Sequence, residues 1–457
     1  MPTPPPPPLA GGLAGPDDLR PLLRVVLGAL REGAEARGGP LPGGGPDAVT
    51  TRLRDALGDA LPDEGRGPEE ALHTLVRAVA HGSADPADPL CAAHLHTPPL
   101  ALAVAADLAA SALNPSMDSW DQAPAASALE AALTRAVAAE VYPRAPAPAA
   151  LVTTGGTESN QLALLLARER HSTAVKVVCA DSAHHSVRRA AWLLGLPGPV
   201  TVPVHDIAAL NDALTKLPGP VLVVATAGTT DTGRIDPLAA IAEVAGHHGA
   251  ELHIDAAYGG PLLFSRSRRS LLAGLDRAHS VTLDLHKLGW QPVAAGLLAV
   301  ADTARLTPLA HTAEYLNAED DTDAGLPDLL GRSLRTTRRP DVLKIATTLR
   351  ALGRTGLGAL VDQVCAAAQD LADLIDKHPG LELYERPTLS TVLFRPTGAT
   401  DEQTAGIRRT LLTGGRAVLG RARADGRIWL KATLLNPHTT PAHLHALIAL
   451  VEGSTPR

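Results

Sequence analysis

Aromatic side chains are nearly absent, with four tryptophans, four tyrosines and two phenylalanines among 457 residues. Any pocket will therefore hold few flat rings on which a ligand could stack. Cysteine is also scarce. Cys91, Cys179 and Cys365 are odd in number and far apart in sequence, which excludes a disulfide scaffold and fits free thiols in a reducing cytoplasm. The net charge is -7 and no concentrated Lys/Arg run occurs, so a nucleic-acid surface is not expected. No uninterrupted apolar run approaches the roughly 18 residues of a membrane span. The opening MPTPPPPPLAGGLAGP lacks a basic segment followed by an apolar one, so it does not read as a secretory signal. Its prolines favour a disordered or polyproline II tail over residues 1–16.

What is present is a globular composition, 45% hydrophobic and 19% charged, on a chain long enough for a large core. Residues 17–90 carry helix-like apolar spacing broken by Gly/Pro linkers. Over 91–345 short β-rich runs alternate with helical ones. VKVVCAD (175–181), PVLVVATAG (220–228), AELHIDAAY (250–258) and SVTLDL (280–285) read as strands, and helices are expected at 158–170, 186–194 and 236–248. That alternation predicts an α/β fold with a mostly parallel sheet and helices on both faces. Residues 346–457 read as a smaller α+β domain, entered by a long helix around 341–376.

Ligands of open parallel sheets bind at the carboxyl ends of the strands, and four segments place polar residues there. TTGGTESNQLAL, beginning at Thr153, puts two glycines before a helix N-terminus, a place that favours an anion. HIDAAYGG (253–260) ends a strand with Asp255, a carboxylate that needs a cationic partner if buried. DSAHHSVRRAAWLLG (181–195) brings His184 and His185 just past a strand, where an imidazole can cover a flat ring. SVTLDLHKLGWQP (280–292) delivers Lys287 from a buried strand into a turn, and a desolvated lysine is a good nucleophile toward carbonyls. Each has an ordinary explanation alone: a helix cap, a turn aspartate, a surface histidine, a snorkelling lysine. Together they are an anion cradle, a buried carboxylate, a stacking imidazole and an amine, the parts that pyridoxal phosphate requires. No metal site is expected.

These motifs, with ATAGTTDTGRIDPL and RTTRRPDVLK, make residues 88–440 resemble the group II pyridoxal-phosphate-dependent amino acid decarboxylases of fold type I. AHLHTPPL (93–100), NPSMDSWDQAPA (114–125) and EYLNAEDDTDAGLPDLLGRSLRTTRR (314–339) resemble the branch acting on diamino acids, which includes diaminobutyrate and siderophore-type lysine decarboxylases. The resemblance implies a seven-stranded-type sheet, decarboxylation of an amino acid to its amine, and a homodimer with shared active sites. It implies Lys287 as the Schiff-base lysine, Asp255 as the partner of the pyridine nitrogen, and His184 as the ring-stacking histidine. Gly156, Thr157, Asp284 and His286 would surround the phosphate, and Thr226 and Ala257 would touch the ring. The acidic segment 317–335 resembles the family's mobile active-site loop.

Substrate residues are expected at His96, Asp121 and Lys431. Asp121 follows Ser119-Trp120 where aromatic-specific relatives carry small apolar residues, so its carboxylate is a candidate partner for a distal ammonium; a turn-capping aspartate is the ordinary alternative. Two departures from the family pattern stand out. Lys431 occupies the place of an arginine that holds the substrate carboxylate, keeping charge but losing the two-pronged grip. The loop position that carries a proton-donating tyrosine in several relatives is Leu329, and the nearest tyrosine is Tyr315. His184 is then the preferred proton donor. The departures keep two alternatives open: a carbonyl-forming enzyme of the same fold, and a cofactor-binding protein without turnover.

Overall fold

Val221–Thr226 is buried at every position, as a strand covered on both faces must be. It sits near the middle of a seven-stranded sheet whose spatial order is 149–153, 296–300, 280–284, 251–256, 221–226, 176–180, 200–202. Only Gly296–Val300 pairs antiparallel to its neighbours; the other six strands run the same way. Each expected strand is found, trimmed by one to three residues at the ends. The flanking strands Ala149–Thr153, Val200–Val202 and Gly296–Val300 were not expected. This is a computed structural model, and it describes residues 7–203, 205–311, 313, 316 and 318–455.

Helices cover both faces. Gly156–His171 and His185–Leu193 pack through Leu164, Ala167, Val187 and Ala190 against Val177, Cys179, Leu222 and Val224. Leu238, Ile241 and Ala245 of Leu238–His247 join the main core with Val223, Leu252 and Ile254. The three cysteines are free and buried.

A second sheet of five strands, ordered 91–92, 418–424, 427–433, 391–396, 381–383, has its own core. The long helix Val342–Asp376 enters that core through Ala368, Leu371 and Ile375. It breaks at Gly353, whose φ of 63° is left-handed, a conformation glycine adopts without strain. Several hydrogen bonds join this unit to the large sheet. Trp290 Nε1 donates to Leu435 O at 2.8 Å, and the Tyr258 hydroxyl lies 2.8 Å from Ser390 Oγ. Helices Gly15–Arg37, Gly45–Leu57 and Pro68–Gly82 precede both sheets and leave Leu27, Leu30, Leu75 and Val79 exposed. No helix among the described residues is long and apolar enough to cross a membrane.

Candidate active site

Six parallel strands point their carboxyl ends one way, and the ends and following turns of five of them enclose one cavity of about 360 Å³. Gly155, Gly156 and Thr157 line it from the turn after Ala149–Thr153. His184 and His185 follow Lys176–Ala180, Thr226 ends Val221–Thr226, and Asp255 and Ala257 come from Glu251–Ala256. Asp284, His286 and Lys287 come from the turn after Ser280–Asp284. All nine residues expected to surround the cofactor, Gly156, Thr157, His184, Thr226, Asp255, Ala257, Asp284, His286 and Lys287, meet here.

The glycine turn leaves room by lacking side chains. A Cβ on Gly156 would come within 2.9 Å of Ala257 Cβ, and one on Gly155 within 2.8 Å of His286 Cε1. No side chain caps the helix that begins at Gly156, so its first turn offers N–H groups and the positive end of the helix dipole to the cavity. Glu158 braces the turn instead, accepting from Thr154 N at 2.6 Å and Thr154 Oγ1 at 2.7 Å.

Asp284 is 1% exposed and sits between Lys287 and His286. Its Oδ2 is 3.4 Å from Lys287 Nζ and accepts from Gly156 N at 3.3 Å, while Oδ1 is 2.6 Å from His286 Nδ1. That last contact is close enough for an ion pair, although the two atoms are not aligned as a hydrogen bond.

Asp255 is 5% exposed. Its Oδ1 accepts from Ala257 N at 3.1 Å and its Oδ2 from Asn160 Nδ2 at 2.8 Å. Among the described residues it has no ion-pair partner, which leaves a buried carboxylate waiting for a cation. Thr226 Oγ1 is likewise buried without a partner. A ligand with an anionic end and a protonated ring nitrogen satisfies both the helix end and Asp255, and pyridoxal phosphate has both.

Behind Asp255 lies a polar cluster that the strand-end reading missed. Asn160 Oδ1 accepts from Thr282 Oγ1 at 2.8 Å and lies 3.0 Å from His253 Nε2, and Asn160 Nδ2 donates to Ser186 Oγ at 2.9 Å. Ser186 Oγ lies 2.8 Å from His184 Nδ1, and His253 Nδ1 is 2.8 Å from Ser280 Oγ. Asn160, Ser186, His253 and Thr282 are all fully buried. Burial lowers the pKa of His253 and that of His184, with the Asp255 charge opposing at both. The signal was in the quoted motifs. His253 stands two residues before Asp255, so both point to one face of the strand.

His96, Asp121 and Lys431 are not among the residues lining this cavity. His96 is exposed. Asp121 accepts from Ser119 Oγ at 2.6 Å and lines a separate cavity of about 350 Å³ with Leu316 and with Asp321 and Leu326 of the acidic segment. Lys431 is 6% exposed, and its Nζ donates to Thr230 O at 3.0 Å and lies 3.4 Å from Asp231 Oδ1. Leu329 is buried, and Tyr315 lies outside the described residues.

The fold and cavity are those of a pyridoxal-phosphate enzyme, and comparison with known proteins agrees. The pyridoxal-dependent decarboxylase conserved domain matches residues 52–397. The chain belongs to that family and is a pyridoxal-phosphate-dependent amino acid decarboxylase. It is 41% identical to an L-2,4-diaminobutyrate decarboxylase of Rhizobium meliloti (strain 1021), over 87% of this chain and 84% of that protein. An L-2,4-diaminobutyrate decarboxylase of Acinetobacter baumannii is 34% identical over 89% of this chain and 87% of its own. Among solved structures, the glutamate decarboxylase domain of a diaminobutyrate-pyruvate transaminase and L-2,4-diaminobutyrate decarboxylase from Vibrio parahaemolyticus superposes with a TM-score of 0.87. It shares 32% identity and covers 98% of this chain and 97% of that one.

Proposed function

We propose that this enzyme decarboxylates a basic diamino acid, with 2,4-diaminobutyrate the foremost candidate and ornithine and lysine as longer variants. The observation that carries the substrate is the 41% identity, along nearly the whole chain, to a diaminobutyrate decarboxylase.

Lys287 is the amine that would hold the cofactor's aldehyde carbon. Asp255 would face the pyridine nitrogen and keep it protonated, because a buried carboxylate stabilises an adjacent cation. Gly156, Thr157 and His286 would receive the phosphate, with Asp284 behind them orienting His286 and Lys287. His184 and Ala257 would bound the ring, and Thr226 would donate its free hydroxyl. Pyridoxal phosphate, when bound, supplies a carbonyl that condenses with amines and a protonated ring that accepts the electron pair released with CO2. The chain's own work is to charge the ring nitrogen through Asp255, to present and then release an amine through Lys287, and to exclude water.

The active form is proposed to be a homodimer. Exposed Leu27, Leu30, Leu75 and Val79 on the first helices, and Leu102, Val104 and Leu108 on Ala101–Leu113, support a covered apolar face. Asp121 and the acidic segment 318–335 would then complete a neighbouring subunit's site. Three free buried thiols are in keeping with a cytoplasmic enzyme. A role in siderophore or secondary-metabolite synthesis is consistent with a diamine product.

A product assay tests the reading. Purified enzyme with pyridoxal phosphate is given 2,4-diaminobutyrate, ornithine, lysine, glutamate and aromatic amino acids, with Lys287→Ala as blank. Amine, carbonyl and CO2 are measured by mass spectrometry. A diamine absent from the blank supports the reading and sets the pocket length. A carbonyl product, or a Schiff-base absorbance without turnover of any substrate, overturns it.

A further inference from the structure

The hydrogen bonds that run from Asp255 to His184 have only one consistent direction. A carboxylate with no proton can only accept, so the Asn160 atom 2.8 Å from Asp255 Oδ2 is the amide nitrogen. The second hydrogen of that nitrogen goes to Ser186 Oγ at 2.9 Å. With that oxygen accepting, the Ser186 hydroxyl hydrogen is free to point at His184 Nδ1, 2.8 Å away. Independently, the backbone N–H of Ser186 also donates to His184 Nδ1, at 3.4 Å, where His184 caps the helix His185–Leu193. A backbone N–H has no other role to play. Two donors thus converge on Nδ1, and that atom carries no proton.

The other half of the cluster has the same logic. Asn160 Oδ1 faces Thr282 Oγ1 and His253 Nε2, so both must donate. His253 then bears its proton on Nε2, and its Nδ1 accepts from Ser280 Oγ. Asn160 uses two donors and two acceptors, all the capacity an amide has. It cannot be flipped without setting its oxygen against Asp255.

We propose that Asn160 and Ser186 are positioning residues which hold His184 as a neutral imidazole protonated on Nε2, a hydrogen-bond donor to the cavity and not an acid that delivers the product's proton. The ring lines the cavity, and its Nε2 has no hydrogen-bond partner among the described residues. An imidazole already neutral cannot give up a second proton near neutral pH, so its Nε2–H can hold an anionic or carbonyl oxygen but not protonate carbon. This reading runs against His184 as the proton donor that the missing loop tyrosine suggested. Burial of His184 lowers its pKa, which acts in the same sense. The inference rests on the decarboxylase reading for its catalytic consequence, but the tautomer does not.

The test begins with 15N-histidine-labelled protein free of cofactor. Long-range 15N–1H correlation reads the tautomer of each ring, and the His184 signals are those lost in His184→Gln. The expected result is a proton on Nε2 in the parent. In Ser186→Ala a mixture of tautomers is expected, and Ser186→Thr, which keeps the hydroxyl, should restore the parent pattern. If Ser186→Thr proves too large to fold, the parent and Ser186→Ala spectra decide alone. A proton on Nδ1 in the parent, or an unchanged tautomer in Ser186→Ala, overturns the proposal. The second arm uses the loaded enzyme. His184→Gln loses the ring that covers the cofactor but keeps an N–H donor without a titratable proton, so its kcat should fall below the parent yet stay tenfold or more above that of His184→Phe. Equal losses in both overturn the donor role. Absence of any turnover with the expected tautomer present would count against the decarboxylase reading and leave the positioning network standing.

Discussion

Lys431 Nζ donates to the carbonyl oxygen of Thr230 at 3.0 Å, and Thr230 is part of the wall of the cavity that contains Lys287. Lys431, expected from the sequence to stand in for a carboxylate-binding arginine, is thus committed to the back of that wall. Lys431→Met would leave the Thr230 carbonyl and Asp231 without their partner, a loss of about 1–3 kcal/mol. A lower melting temperature and a roughly tenfold fall in kcat/KM are expected. Lys431→Arg should not improve on the parent, because a Cβ on Gly420 would already come within 3.0 Å of the lysine stem. A gain in kcat/KM with arginine would show that the family's carboxylate grip can be restored.

Asp121 shares a cavity with Asp321 on the acidic segment, away from Lys287 in the single chain. If a second subunit brings this cluster to the substrate, Asp121→Ala should weaken use of 2,4-diaminobutyrate tenfold or more relative to a monoamino acid. Steady-state kinetics with both substrates measure the ratio. An unchanged ratio returns Asp121 to the role of a turn cap.

Gly156→Ala tests the cradle. Its new Cβ would stand 2.9 Å from Ala257 Cβ, and overpacking of this kind costs about 1–3 kcal/mol. Pyridoxal phosphate should bind roughly ten- to a hundredfold more weakly, read from the absorbance of the bound cofactor. The far-UV circular dichroism of the variant should match the parent.

His253 makes stability depend on pH. Its pKa is pushed down from 6.5 to about 4, first by burial, with the Asp255 charge opposing. Between those values the unfolded chain binds a proton that the folded chain refuses, so stability falls as pH falls. Urea unfolding of cofactor-free protein at pH 7 and pH 5 should show a larger loss in the parent than in His253→Gln, by roughly 1 kcal/mol or more. Equal losses would mean that His253 takes its proton inside the folded chain.

The site was legible because Lys287, Asp255 and His184 end or follow an expected β-rich run, and the glycine turn opens an expected helix. Lys287, Asp255, His184 and the glycine turn could be found from local pattern, and parallel topology then brought them together. Asn160 and Ser186 lie inside the same quoted motifs yet were passed over, since a polar residue on a helix face announces nothing until its partner across the sheet is known. Gly296–Val300 was missed because it is five apolar residues without alternation, and its reversed direction is a property of pairing alone. His96 and Asp121 were assigned by resemblance, and in the single chain neither lines the cavity.

The bond from Trp290 to the carbonyl of Leu435 spans 145 residues of sequence. It fastens the turn that bears Lys287 to a strand end close to the last helix of the chain. During synthesis the strands of the large sheet emerge first, and the lysine turn meets this anchor only once Leu435 has left the ribosome. A product truncated before Leu435 would carry Lys287, Asp255 and His184 yet lack the clasp that holds the lysine turn.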